Sequence, residues 1–153
     1  VDTFNELKLP LLIVGKGKQE KELKKHAGRF ITFLGHIPDE DLLKVYQNSM
    51  ALIFPQEEDM GLIPLEAMSA GKPVIAYGKG GALETVVPGK TGLFFEEQTV
   101  DSLKRAILEF GALKWDTAAI REHAKQFDRA NFEKKFREFV EEKWAVWKKE
   151  MVA

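Results

Sequence analysis

The sequence contains no cysteine. That excludes disulfides, thiol nucleophiles and thiolate metal sites, and it fits a cytoplasmic setting. Long hydrophobic runs are missing too: LPLLIVG and MALIFP are strand-length, far below the roughly 20 residues that span a bilayer. No signal peptide precedes them, and Val1 in place of a methionine sets the expectation that the natural start lies upstream. Nor is either charge in excess. Lys and Arg number 23 against 24 Asp and Glu, a net charge of −1. No global basic field therefore argues for nucleic acid or a membrane surface, and any anion site must be local. Tracts rich in Ser, Gly and Pro, the mark of linkers and disorder, are absent as well.

What is present is the composition of one folded domain. Hydrophobic residues make up 44% and charged residues 31% of 153, enough for a single core that buries roughly two thirds of the unfolded chain's surface. Short β-rich runs alternate with longer helical patterns, which predicts an α/β fold, a doubly wound parallel sheet with helices on both faces. Strands are expected at Leu11–Val14, Ile31–Leu34, Ala51–Phe54, Val74–Tyr77 and Leu93–Phe95, the middle ones apolar throughout as buried parallel strands are. Helices are expected at Lys18–Ala27, Asp39–Asn48 and Gly61–Ala70, with a short turn at Ala82–Val86. The Gly61–Ala70 pattern stops at Gly71, with Pro73 just beyond, the usual end of a helix.

After the last strand only helical patterns follow, at Val100–Phe110, Thr117–Gln126 and Asn131–Lys149, so residues 112–153 are expected to form a helical C-terminal extension. Its last helix carries Phe132, Phe136, Phe139, Val140, Trp144 and Trp147 on one stripe opposite a Lys/Glu face. The spacing predicts core packing. Docking on a partner domain is the alternative, since two tryptophans near a chain end are generous for one small core. At the other end, Asp2–Leu7 reads as the last turns of a helix feeding the first strand. An α/β unit begins with a strand and a ligand-binding loop, so the single domain 1–153 is expected to be truncated on its N-terminal side, its own first strand missing.

Ligands of open α/β sheets bind outside the carboxyl ends of the strands, which directs attention to the loops there. They are Gly15-Lys16-Gly17-Lys18, Gly35-His36-Ile37-Pro38, Pro55 to Met60 and Gly78-Lys79-Gly80-Gly81. Gly80-Gly81 before a helical turn reads equally as a phosphate cradle of main-chain N–H groups or as a plain left-handed turn. Gly15-x-Gly17 lacks the third glycine and the acid about 20 residues on that a dinucleotide fingerprint needs, which leaves nicotinamide chemistry unsupported. The third loop differs in kind. Glu57, Glu58 and Asp59 stand at a helix start, where acids meet the positive end of the dipole, and Glu66 lies inside that helix among Pro64, Leu65, Ala67 and Met68. A half-buried carboxylate there requires a donor, either ligand hydroxyls or a local salt bridge or main-chain bond. His26, His36 and His123 read as surface or packing residues.

From Leu11 to about Phe110, around the string EDMGLIPLEAMSAGKPVIAYGKGGALETVVPGKTGLFF, the sequence resembles the C-terminal, nucleotide-sugar-binding domain of retaining GT-B glycosyltransferases (glycosyl transferases group 1). Glu58-x7-Glu66 has that family's paired-glutamate spacing. Met60-Gly61-Leu62, Gly71-x-Pro73-Val74-Ile75-Ala76, Gly80-Gly81, Glu84 and Gly89-x-Thr91-Gly92 accompany the pair in order. The run AYGKGGALETV and the acids before Met60 are most similar to mannosyltransferase-like members that build bacterial surface polysaccharides, whose usual donor is GDP-mannose.

The resemblance implies a Rossmann-like half of a GT-B fold, and it implies roles. Glu58, the catalytic candidate, bonds hydroxyls of the donor sugar. Main-chain groups around Asp59, Met60, Gly61, Leu62 and Ile63, with Lys79, Gly80 and Gly81, meet the sugar and diphosphate. Glu66 takes the ribose, and Gly15 with Gly35, His36 and Ile37 lies on the nucleotide side. The implied reaction moves a hexose, mannose first, from a nucleotide diphosphate sugar to an acceptor hydroxyl with retention at the anomeric carbon. No cofactor and no essential metal are implied. In the family an Arg and a Lys on the loop after the domain's first strand steady the departing diphosphate; those positions precede Val1, and here the sequence departs from the complete pattern. The acceptor, a glycan or lipid-linked sugar, belongs to the missing N-terminal domain, through which the full protein would also reach the inner face of a membrane. Alone, the chain is expected to bind donor weakly and turn over nothing. A non-catalytic nucleotide-sugar-binding module, and an epimerase or phosphorylase of the same fold, are the alternatives.

Overall fold

The computed structural model describes residues 1–152; residue 153, the last of the expected extension, lies outside them. Along the described residues run α1 (Asp2–Leu7), β1 (Leu11–Val14), α2 (Glu20–His26), β2 (Ile31–Gly35), α3 (Asp39–Asn48), β3 (Leu52–Phe54), α4 (Leu62–Ser69), β4 (Val74–Tyr77), α5 (Ala82–Thr85), β5 (Gly92–Phe95), α6 (Val100–Ala112), α7 (Thr117–Lys125) and α8 (Arg129–Val152). These are the expected elements, differing only at their ends. The pairings are parallel, with Leu11 opposite Ile31, Leu52 opposite Val74 and Val74 opposite Gly92. Parallel neighbours need a crossover, which α2, α4 and α5 supply.

The alternation of side chains along each strand divides the core in two. Ile75, Tyr77, Leu93 and Phe95, with Ile53, form one cluster with Phe4 of α1 and Ala106, Ile107 and Phe110 of α6. Phe54, Val74 and Ala76, with Leu52 and Phe94, meet Ala67 and Met68 of α4 and Ile120 and Ala124 of α7. Strand β4 is buried at every residue because helices cover both its faces, which is why its sequence is apolar throughout rather than alternating. Ile120 is 0% exposed, and burying such a side chain is worth about 1.5–3 kcal/mol. Helix α7 is thereby part of the domain's body although it follows the last strand. Thr99 caps α6 by accepting from the Ser102 N–H, and Asp116 caps α7 by accepting from Ala118 and Ala119.

The sheet is in two parts, β1-β2 and β3-β4-β5. Leu11 and Gly15 direct their N–H groups at the carbonyls of Phe30 and Gly35 on the β2 side, so the main-chain groups of Leu12 and Val14 point to the opposite edge, which carries no ladder. The side chains of Leu12 and Val14, on the face opposite Leu11 and Ile13 that pack on the first cluster, are 47% and 38% exposed. On the other part, the Leu52 N–H donates to the carbonyl of Pro73 beside β4, which turns the main chain of Ile53 toward a second open edge.

Helix α8 does not pack as its periodicity predicts. Phe132, Phe136, Phe139, Val140, Trp144 and Trp147 are 45% to 57% exposed. The helical period is present, but both faces of β3-β4-β5 are already covered by α1 with α6 and by α4 with α7, leaving no core for another stripe. The aromatic rings meet one another instead, Phe132 on Phe136 at 5.7 Å and Trp144 on Trp147 at 4.8 Å between centroids.

Candidate functional site

The loops at the carboxyl ends of β1 to β4 are tied in pairs by hydrogen bonds. The Gly15 N–H donates to the Gly35 carbonyl at 2.7 Å, joining the first loop to the second. The Gly81 N–H donates to the Glu58 carbonyl at 2.7 Å, joining the fourth to the third. From beyond β5, Gln98 Nε2 donates to the Pro55 carbonyl at 2.8 Å, so the third loop is held on both sides.

Gly80 makes the left-handed turn, with φ +61°, and the bond between Gly81 and Glu58 adds a close approach between loops. A Cβ on Gly80 would overlap the Glu58 carbonyl oxygen, and one on Gly81 would lie 2.5 Å from the Asp59 carbonyl oxygen and 2.8 Å from Met60. The pair lacks side chains because one loop must approach the other this closely. The Gly81 N–H is engaged by Glu58 and does not point out at a ligand.

The start of α4 is open. Gly61 holds φ at +65°, and no side chain caps the helix. The N–H groups of Leu62 and Ile63 in the first turn have no helical acceptor, and Pro64 has no N–H to offer. An uncapped helix start of this kind favours an anion. Around it Met60, Leu62 and Ile63 are 62%, 57% and 37% exposed, an apolar surface of the sort a ligand or neighbouring domain covers.

Both glutamates flank this helix start. Glu58 is exposed in the loop before it, with Oε1 accepting from Gln56 Nε2 at 2.9 Å. Glu66, expected to be half-buried, is exposed. The helix turns Pro64, Ala67 and Met68 inward, and the helical period places residue 66 on the other side. Its donor is internal: the Tyr46 hydroxyl donates to Glu66 Oε2 at 3.1 Å. Burial, and after it the charge of Glu66, pushes the Tyr46 phenol above the ordinary tyrosine range. Lys79 is exposed on the same edge, its Nζ 5.6 Å from the centre of the Tyr77 ring. Tyr77 first, and Glu57 after it, hold the Lys79 ammonium above the ordinary lysine range. His36 is exposed and Ile37 half-buried directly after β2. A cavity of about 250 Å³ lies instead at the opposite end of the sheet, among Lys90, Thr91, Lys114, Asp116 and His123, and contains none of the expected site residues.

Tyr46 is the site residue that the sequence reading missed. It lies on the half-buried face of α3 with Leu42, Val45 and Ser49, and a tyrosine on such a face carries a hydroxyl that needs a partner. That signal was available; the identity of a partner 20 residues away was not.

The sequence profile described as glycosyl transferases group 1 matches residues 3–131. The chain belongs to this family. One curated relative of the chain is the GDP-mannose-dependent monoacylated alpha-(1-6)-phosphatidylinositol monomannoside mannosyltransferase of Corynebacterium glutamicum. It is 36% identical over 110 residues, covering 65% of this chain and 29% of that protein. The alpha-1,3/1,6-mannosyltransferase ALG2 of Dictyostelium discoideum is 46% identical over 78 residues, 47% of this chain and 19% of that protein. Among solved structures, the apo lipopolysaccharide outer core galactosyltransferase WaaB superposes with a TM-score of 0.78 at 20% identity, over 88% of this chain and 41% of that one. The last likeness establishes the fold, the α/β architecture of a GT-B glycosyltransferase. The chain spans less than a third of either mannosyltransferase, 29% and 19%. No helix among the described residues is long and apolar enough to cross a membrane.

Proposed function

We propose that this chain is the donor-binding part of a retaining glycosyltransferase that moves a hexose, mannose first, from a nucleoside diphosphate sugar to an acceptor hydroxyl. The observation that carries this reading is the placement of Glu58 before and Glu66 after an uncapped helix start, with the Gly15 and Gly35 loops tied together at the carboxyl ends of β1 and β2. The two mannosyltransferase relatives, one of them named for GDP-mannose, favour that sugar and base.

In this reading Glu58 accepts from hydroxyls of the donor sugar. An analogue lacking those hydroxyls leaves the carboxylate unpaired, which is how such a contact discriminates. The first turn of α4 receives the diphosphate through the N–H groups of Leu62 and Ile63, and Glu66 accepts from the ribose. The bond from the anomeric carbon to the diphosphate breaks as the bond to the acceptor oxygen forms on the same face. Stabilising the departing diphosphate requires positive charge. The loops carry the acids Glu57, Glu58 and Asp59, with Lys79 and, in the first loop, Lys16 as cations that can assist, so the main cationic groups and the acceptor site are assigned to the remainder of a longer protein. The two open edges support the same division: one further parallel strand between β1 and β3 would bring its own carboxyl-end loop to the site. The exposed stripe of α8 is a second surface for that remainder to cover.

The test is a thermal-shift panel on the longest polypeptide that carries this chain, with GDP-mannose, UDP-glucose, UDP-N-acetylglucosamine and ADP-glucose. GDP-mannose is expected to give the largest rise in Tm, and Glu58→Ala to erase the preference among sugars. A panel in which none of these ligands shifts Tm would favour a module without transferase activity.

A further inference from the structure

We propose that Tyr46 is a positioning residue for donor binding, holding the Glu66 carboxylate in the orientation that receives the nucleotide's ribose. This rests on the reading of Glu66 as the ribose acceptor and extends it to a residue on another helix.

The geometry is specific to this pair. Glu66 projects from the second turn of α4 into solvent, where a free glutamate side chain samples many rotamers. The positions that could restrain it from its own helix, Leu62, Ile63, Ser69 and Ala70 at the facing spacings, offer no side-chain cation. Among the described residues, the Tyr46 hydroxyl at 3.1 Å is the one hydrogen-bond donor that reaches the carboxylate, and no ion pair competes with it. Tyr46 is itself held. Its ring is half-buried and packs against the cluster that includes Phe54, Met68 and Val86, so its hydroxyl is presented from a rigid base rather than from a mobile side chain.

Tyr46 donates to Oε2, which leaves Oε1 and the remaining lone pair of Oε2 for a ligand. Two vicinal hydroxyls are two donors, and a carboxylate has acceptor capacity for them while keeping the tyrosine bond. The orientation cost is then met before the nucleotide arrives, which is what preorganisation contributes to affinity. The Tyr46 phenol, held above the ordinary tyrosine range by burial and then by Glu66, stays protonated and a donor at physiological pH.

The experiment compares dissociation constants of GDP and UDP with those of their 2′-deoxy forms, on the longest polypeptide that carries this chain. The proteins are the wild type, Tyr46→Phe, Glu66→Ala and the double variant. The ratio of deoxy to ribo affinity is read, because it does not depend on the fraction of protein that is folded. The wild type is expected to prefer the ribonucleotide and Glu66→Ala to lose that preference. Tyr46→Phe should reduce it roughly two- to tenfold, the range for one hydrogen bond, and add nothing in the Glu66→Ala background. A wild-type ratio in Tyr46→Phe, with the preference still abolished by Glu66→Ala, overturns the positioning role and leaves the ribose reading intact. A preference that survives Glu66→Ala overturns the ribose reading, and the positioning role with it. Absence of nucleotide binding in the wild type overturns both.

Discussion

The main-chain N–H of Gly81 and the carbonyl of Glu58 lie 2.7 Å apart, so the loop that presents Glu58 is fixed by the loop that follows a different strand, β4. The Gly81 α-carbon faces Asp59 and Met60 with no room for a methyl group. Gly81→Ala is therefore expected to drive the two loops apart and to lower stability by about 1–3 kcal/mol, as overpacking does. Donor affinity should fall as well, because Glu58 and the start of α4 move with the loop. Denaturant unfolding and nucleotide titration measure the two effects. Wild-type behaviour in both would mean that the contact is not a constraint.

Ile120 decides whether α7 belongs to the domain. It is 0% exposed and belongs to the second core cluster, with Ala67 and Met68 of α4. Ile120→Ala is expected to cost about 2–5 kcal/mol through lost burial and the cavity left behind. Leu108, 61% exposed on α6, is the control: Leu108→Ala should change stability by no more than about 0.5 kcal/mol. Equal effects of the two substitutions in denaturant melts would contradict the packing of α7.

Much of this was legible from local pattern. The apolar run Val74–Tyr77 announces a strand covered on both faces, and Gly71 with Pro73 marks the end of α4, because the physics that produces those elements is local. The paired glutamates and the glycines between them were legible as a family resemblance, and the family is what the matching profile shows. The missed features are long-range. Periodicity shows that α8 has an apolar face but not that both sheet faces are already occupied. Glycine at 80 and 81 shows that a side chain is excluded, but not that a neighbouring loop excludes it. The exposure of Glu66 follows from the helical phase relative to Pro64, Ala67 and Met68, which composition around residue 66 conceals.

Tyr46 gives the molecule an alkaline dependence. Its phenol is raised in the folded state by burial first and by Glu66 next, whereas in the unfolded chain it ionises near the usual value of about 10. Above that pH the unfolded state releases a proton that the folded state retains. The stability associated with Tyr46 is thus fully present below about pH 10 and lost as pH rises beyond it. Urea midpoints measured across this range should fall for the wild type. They should fall less for Glu66→Gln, which removes the neighbouring charge, and least for Tyr46→Phe. A decline unchanged by either substitution would assign it to other groups.

The open edge of β1 makes a prediction in hydrogen exchange. Among the described residues, β1 has β2 as its one strand neighbour; the amides of Leu11 and Gly15 donate to that side, and those of Leu12 and Val14 point away from it. In the isolated chain Leu12 and Val14 should exchange quickly and Leu11 and Gly15 slowly. In the longest polypeptide that carries the chain, protection of Leu12 and Val14 should rise to that of their neighbours if a further strand pairs there. Continued fast exchange would leave the edge open and remove that support for the division of the site.

Helix α8 offers a sharp contrast between stability and association. Trp144 and Trp147 are 53% and 48% exposed and stack on each other rather than on the body. Replacing both with Ser should leave the unfolding free energy of the isolated chain within about 0.5 kcal/mol of wild type, as for other surface positions. The same double substitution should weaken whatever covers the stripe. In the isolated chain that means less concentration-dependent self-association in sedimentation, since an apolar face rimmed by charge seeks any available cover. In the longer polypeptide it means a lower Tm. Loss of several kcal/mol in the isolated chain would instead place the tryptophans in its core.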